Sequence, residues 1–213
     1  STRVRSSAAS DVYKRQVLDR KPASLPKDKE RWPSVDIFIP TYNEPLDVVK
    51  PTVYAALTVD WPKEKLNVYI LDDGSRKEFK DFACEVGAGY IEREEHKHAK
   101  AGNINHAMGI TKGDFIAIFD CDHVPVKTFL QKTMGWFLKD EKIALVQTPH
   151  HFYSQDPFEK NLHLKENVPN ENSLFHDFIQ KGNDTWNATM FCGSCAICLL
   201  YTSDAADDLT RVD

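Results

Sequence analysis

The sequence predicts an α/β fold, a mixed and mostly parallel sheet with helices on both faces. Short runs rich in β-branched and aromatic residues alternate along the chain with longer stretches of helical periodicity, the signature of βαβ units. Three of these runs also end in polar words, Thr41-Tyr42-Asn43-Glu44, Asp72-Asp73-Gly74 and Asp120-Cys121-Asp122. In open α/β sheets, ligands sit in the crevice beyond the carboxyl ends of the strands.

The elements follow in order. Residues 17–34 are charged and carry Pro22, Pro26 and Pro33, which reads as a linker with no evident core. Residues 35–40 form a first strand, closed by Pro40. Residues 46–58 have helical periodicity with Pro51 early in the helix, and Trp61-Pro62 breaks it. Residues 66–71 form a second strand, 78–86 a helix and 89–91 a short third strand. A helix over 101–110 precedes a buried strand at 115–119, bounded by Gly113-Asp114 and Pro125. Residues 128–138 form another helix and 143–147 another strand.

Composition narrows the function. Hydrophobic residues make up 41% and charged residues 28% of the chain, the balance of a soluble globular domain. A net charge of −5 argues against a nucleic-acid-binding surface. Five cysteines without framework-like spacing do not build a disulfide scaffold. Cys192-Gly193-Ser194-Cys195 has C-x-x-C spacing, but without a second such pair it is a poor zinc site. No apolar run approaches the roughly 18 residues that cross a bilayer, and no signal-peptide pattern opens the chain.

The two ends look foreign. Ser6 to Gln16 and Cys198 to Asp208 read as translations of one sequencing-adapter word and its reverse complement. Residues 1–16 and 198–213 are therefore set aside as artefactual tails. Residues 35–197 are expected to hold one domain, cut short on its C-terminal side.

Asp120 and Asp122 are spaced i, i+2 at the end of the strand at 115–119. On an extended segment such side chains point the same way, so both can address one hard cation. Mg²⁺ or Mn²⁺ takes oxygen ligands and keeps positions open for water and phosphate. Asp72-Asp73-Gly74 reads either as a turn or as a carboxylate acceptor for a base N–H or a ribose hydroxyl. Tyr42 is either a core aromatic or a stacking surface for a base. Lys100, in His98-Ala99-Lys100-Ala101-Gly102-Asn103, sits either in a solvated entry turn or on a diphosphate. The paired His150-His151 diverge on an extended chain, which disfavours zinc; the segment reads instead as pocket lining, or His123 approaches the cation as an accessory ligand. Phe191-Cys192-Gly193-Ser194 suits a close backbone approach to ligand or a buried turn. Neither G-x-G-x-x-G nor a P-loop occurs, so dinucleotide folds and P-loop NTPases lack their fingerprint.

Taken in order, these words, with Gln147-Thr148-Pro149-His150 and Asn183-Asp184-Thr185-Trp186, resemble the family 2 glycosyltransferases, and within them the branch that makes bacterial cellulose. The resemblance covers about Arg31 to Ile197. It implies a GT-A (Rossmann-like) fold and inverting transfer of glucose from UDP-glucose to a growing β-1,4-glucan. By the same carry-over, Tyr42 and Glu44 with Asp72 or Asp73 hold the uridine, Lys100 meets the diphosphate, and Thr41 is a further substrate-binding residue. Asp120 and Asp122 bind Mg²⁺, with Mn²⁺ as the alternative. Phe191, Cys192, Gly193 and Ser194 lie near the acceptor. The resemblance also implies an accessory subunit, cyclic di-GMP acting through a further module, and a place on the cytoplasmic side of the bacterial inner membrane. The family's base lies in a T-E-D motif and its acceptor platform in Q-x-x-R-W; neither occurs in this chain. The chain is thus expected to bind donor and to contain no catalytic base. A synthase of another β-glucan and a non-catalytic UDP-sugar-binding module are the competing readings.

Overall fold

The computed structural model describes residues 20–94, 97–150, 174–186 and 188–200. Its sheet is built around β1 (Val35–Thr41), whose seven residues are all buried. A strand covered on both faces reads as a continuous apolar run, not an alternating one. β2 (Leu66–Asp72) and β4 (Phe115–Ile118) flank it in parallel, and β3 (Gly89–Ile91) extends the sheet beyond β2. β6 (Ala196–Leu199) runs antiparallel between β4 and β5 (Leu145–Gln147), giving the order β3-β2-β1-β4-β6-β5.

Successive strand side chains point to opposite faces, and two cores follow from that. On one face, Val35, Ile37 and Ile39 of β1 join Phe115, Ala117 and Phe119. They pack against α1 (Leu46–Leu57), α2 (Lys77–Val86) and α4 (Phe129–Lys139) through Val53, Phe79, Leu130 and Met134. On the other face, Phe38, Leu71, Ile116 and Ile118 meet Ile104 and Ala107 of α3 (Ala99–Ile110). Helices thus cover both faces, as the alternation of elements predicts. α2 ends on Gly87 at φ +75°, a left-handed cap that glycine adopts without strain.

Register places the strand ends together. Thr41 lies opposite Asp72, and Phe38 opposite Ile118. The Phe119 N–H donates to the Phe38 carbonyl at 3.0 Å, so Asp120 emerges beside the end of β1. Ala196 pairs with both Ile118 and Gln147, which brings the residues before β6 to the same edge.

Several expectations are corrected. Residues 22–34 do contribute to the core: Trp32 is buried and stacks on Trp61 with centroids 4.5 Å apart. Each indole is satisfied, Trp32 Nε1 by the Pro26 carbonyl and Trp61 Nε1 by the Pro33 carbonyl. One aromatic in an irregular segment leaves no periodicity to read. β6, Ala196–Leu199, is not among the strands read from the sequence. Pro51 sits at the sixth position of α1, past the first turn where its missing N–H is free of cost.

The described residues divide into two units. The larger holds the sheet; the smaller includes 148–150, 174–186 and 188–190. Within the smaller, a π-helical turn (Leu174–Gln180) runs into α5 (Lys181–Thr185). There the Gln180 side chain bonds the Met190 backbone twice, donating to its carbonyl at 2.8 Å and accepting from its N–H at 3.2 Å. His151 lies outside the described residues.

Candidate functional site

A cleft of about 640 Å³ opens at the carboxyl edge of β1, β2 and β4, lined by Thr41, Tyr42, Glu44, Asp73, Lys100, Asn103, Asp120 and Asp122 among others. Seven of the twelve candidate residues therefore share one cavity.

The Thr41–Glu44 loop is organised by a carboxylate. Glu44 Oε2 accepts from Thr41 Oγ1 at 2.9 Å and from the Tyr42 N–H at 2.8 Å. Burial pushes the Glu44 carboxyl up, but hydrogen bonds from the Tyr42 backbone and other loop donors outweigh it and hold the group below its ordinary value of 4.5. A depressed folded value stabilises the fold above the unfolded pKa, and that contribution is lost as pH falls through the folded one. Glu44→Gln should therefore flatten the acid side of a melting-temperature profile below about pH 4.5. A profile parallel to wild type would remove Glu44 as the cause. Tyr42 is 57% exposed, which excludes the core-aromatic reading.

The two aspartates after β2 divide their labour. Asp72 is wholly buried. Its Oδ1 accepts from Gly74 N–H, Arg76 Nε and Arg76 Nη2; its Oδ2 accepts from Arg76 N–H and the Tyr90 hydroxyl. With five donors in place, Asp72 does not line the cleft. Arg76 carries its influence onward, donating to the Glu44 carbonyl at 2.6 Å and to Thr41 Oγ1 at 3.0 Å. Asp73 does line the cleft, held by the forked guanidinium of Arg93 at 2.5 and 2.8 Å.

Lys100 lies in the first turn of α3, where the helix macrodipole disfavours a cation. Local conflicts of that kind are expected at functional or strained positions. Its Nζ pairs with Asp120 Oδ1 and donates to the Gly193 carbonyl at 2.7 Å. Asp120 and Asp122 are not on an extended segment as expected. The His123 N–H donates to the Asp120 carbonyl at 2.9 Å, closing a turn, with Cys121 buried between the two acids. Aspartate is a strong turn former, and the strand ends before it. Both carboxylates nonetheless line the cleft, with side-chain exposures of 35% and 66%. Two oxygen donors beside open solvent suit a hard divalent cation that keeps water and phosphate ligands.

Phe191–Ser194 does not line the cleft; it lies behind the wall, where the Gly193 carbonyl accepts from Lys100 and Ser194 Oγ from the Asp120 N–H. Phe191 packs against the Phe38 and Leu71 core. Gln147 grips the segment, accepting from the Cys192 N–H at 2.9 Å and donating to the Ser194 carbonyl at 2.8 Å. Gly193 has φ +79°, a conformation that glycine alone takes freely. Buried Ser194 accepts from the Asp120 N–H at 2.8 Å and bonds His123 Nδ1 at 2.7 Å. Sequence reading missed Arg76 and Arg93, because charged residues near a turn look the same whether solvated or buried; it singled out the segment of Gln147 but not the brace this side chain makes. Asn103 donates to the Leu71 carbonyl at 2.9 Å, while its buried Oδ1 has no partner among the described residues, an acceptor that a ligand can satisfy.

Three of the cysteines are not poised to react. Burial, followed by the charges of Glu44, Asp122 and Asp120, pushes the Cys121 thiol up to about 12. Burial pushes Cys195 to about 11 and Cys198 to about 12. Brief alkylation of the native protein at about pH 8 should label exposed Cys84 first and leave Cys121 and Cys198 unmodified. Equal labelling of all three, read by peptide mass spectrometry, would contradict the packing.

The model of the family described as glycosyl transferase family 2 matches residues 36–201. The chain is 59% identical over 179 residues to Cellulose synthase 2 of Novacetimonas hansenii, covering 84% of this chain and 11% of that protein. It is 59% identical over 180 residues to the cellulose synthase catalytic subunit (UDP-forming) of Xanthomonas axonopodis pv. citri, covering 84% and 25%. The chain thus spans 25% or less of these curated relatives. Among solved structures it resembles S. aureus TarS 1–349, at TM-score 0.54 and 16% identity over 82% of this chain and 49% of that one. It also resembles the mannosyltransferase PcManGT of Pyrobaculum calidifontis, at TM-score 0.51 and 22% identity over 67% and 43%. The architecture is GT-A-like.

Proposed function

Because the chain belongs to glycosyl transferase family 2, we propose that it is the donor-binding part of a cellulose synthase catalytic subunit, which transfers glucose from UDP-glucose to a growing β-1,4-glucan with inversion. The observation that carries this reading is one cleft holding Asp73, Lys100, Asp120 and Asp122, in a chain 59% identical to proteins named for that activity. Tyr42 offers an exposed ring to a base, Asp73 an oriented acceptor to its N–H or to the ribose, and Asn103 Oδ1 a further acceptor. Asp120 and Asp122 would hold Mg²⁺, with Mn²⁺ as the alternative; the solved PcManGT complex contains Mn²⁺ with GDP-Man. Such a cation neutralises the charge that develops on a departing diphosphate. Lys100 adds a second positive charge, and it can exchange Asp120 for phosphate oxygen because a lysine tip is a mobile point charge. The Phe191–Ser194 segment is placed on the acceptor side of this reading.

An inverting attack requires a base beside the acceptor hydroxyl, and the chain contains no T-E-D sequence to supply it. The chain on its own is therefore expected to bind UDP-glucose and to make no polymer. The accessory subunit, the response to cyclic di-GMP and the inner-membrane location belong to the same proposal. Among the described residues, no helix is long and apolar enough to cross a membrane. The test is competition at the cleft: UDP-glucose and UDP should displace one another, and guanosine diphosphate should displace neither at the same concentration. Equal displacement by both nucleotides would overturn the uridine assignment, and incorporation of radiolabelled glucose into glucan would overturn the claim that this chain lacks the base. A non-catalytic UDP-sugar-binding module remains the second reading, favoured by the missing base alone.

A further inference from the structure

Arg93 stands two residues beyond β3 in a charged stretch, yet only 8% of it is exposed. Its guanidinium spends four hydrogen bonds on two different parts of the cleft wall. Nε and Nη2 reach the two oxygens of Asp73 at 2.5 and 2.8 Å. Nη1 donates to the Lys97 carbonyl at 2.7 Å, and Nη2 donates also to the Ala99 carbonyl at 2.8 Å. Those carbonyls flank a strained turn. His98 has φ +61° and Ala99 φ +41°, a left-handed conformation that costs residues bearing a Cβ and persists only where the surroundings enforce it. Gly102 closes the arrangement: a Cβ there would stand 2.5 Å from Arg93 Nη1 and 2.1 Å from the Lys97 carbonyl oxygen. The residue that follows the turn is Lys100.

We propose that Arg93 is a positioning residue, whose fork holds the base-recognising Asp73 and the phosphate-facing Lys100 in one rigid frame. The inference rests on the donor-binding reading above. A planar fork is what the task demands, since a lysine cannot reach a carboxylate and two divergent carbonyls at once. A purely structural ion pair would need only the contact to Asp73; the two carbonyl contacts tie it to the start of α3 as well.

The experiment compares uridine with UDP, so that the contribution of the diphosphate is read as the ratio of the two dissociation constants. Both are titrated into the full chain as wild type, Arg93→Lys, Arg93→Met, Lys100→Ala and the Arg93→Lys/Lys100→Ala double variant, with thermal melts alongside. We expect Arg93→Lys to shrink the ratio by about tenfold, as displacement of a positioned group does. In the Lys100→Ala background the ratio should no longer depend on residue 93, because the group through which it acts is gone. Arg93→Met tests the same point without the charge, and Arg93→Lys keeps the cycle interpretable if Met does not fold. A ratio unchanged in folded Arg93→Lys, or an equal further loss in the Lys100→Ala background, would overturn the proposal. Wild type that binds neither ligand would instead overturn the donor-binding reading, so the two failures are distinct.

Discussion

Asp72→Ala lowers the stability of the chain by about 3–5 kcal/mol, the cost of leaving a buried partner charge without its counter-ion. The substitution strands Arg76, which is 22% exposed at its side chain, and removes the acceptor of the Gly74 and Arg76 N–H groups and of the Tyr90 hydroxyl. Burial first, and then the Asp72 carboxylate, holds the Tyr90 phenol well above its ordinary pKa, so that hydroxyl stays a donor and would keep the longer contact to Glu92 Oε2 at 3.5 Å. Asp72→Asn keeps an acceptor oxygen and should cost less. The effect reaches the cleft as well, because the same guanidinium supports the Glu44 carbonyl and Thr41 Oγ1. Urea midpoints of the two variants check the prediction. A shift below about 1 kcal/mol for Asp72→Ala would mean that Arg76 finds another partner.

The Asp120→Ala/Asp122→Ala double variant separates binding from folding. Both side chains are substantially exposed, at 35% and 66%, so their removal should change stability by about 1 kcal/mol or less. The backbone bond from the Asp120 N–H to Ser194 Oγ survives the change. Lys100 loses its ion-pair partner but keeps the Gly193 carbonyl. Binding should fall sharply. A carboxylate pair that delivers a divalent cation to a diphosphate is worth about 3 kcal/mol or more, a loss in affinity of about a hundredfold. A folded double variant that binds UDP as wild type does would remove both residues from the site.

Much of this site was legible in the order of residues along the chain. β1, β2 and β4 announce themselves as apolar runs because both their faces are covered, and their tips stand out because acidic residues follow with no transition. The edge of the sheet, and the convergence of Glu44, Asp73, Lys100 and Asp120 on it, follow from those runs with the rule for where α/β sheets bind. What stayed hidden depended on partners far away in the chain. Asp72 and Asp73 are neighbours of identical chemistry, and only the three-dimensional structure shows one consumed by Arg76 and the other presented by Arg93. Arg93 lies 20 residues from Asp73, so no local pattern joins them. The D-x-D pair was read by strand geometry, but the chain had already turned at Asp120. β6 is four residues long and follows a glycine turn, too short for any period to emerge. Trp32 was lost in a proline-rich stretch for the same reason.

The account depends on Asp120, Asp122 and Lys100 acting together on one diphosphate, with Asp73 beside them. The most direct test is an isothermal titration of the wild-type chain with UDP, once in Mg²⁺ and once in chelator. The account predicts measurable binding with the cation and a loss of about a hundredfold without it. Equal affinity in the two solutions would contradict it.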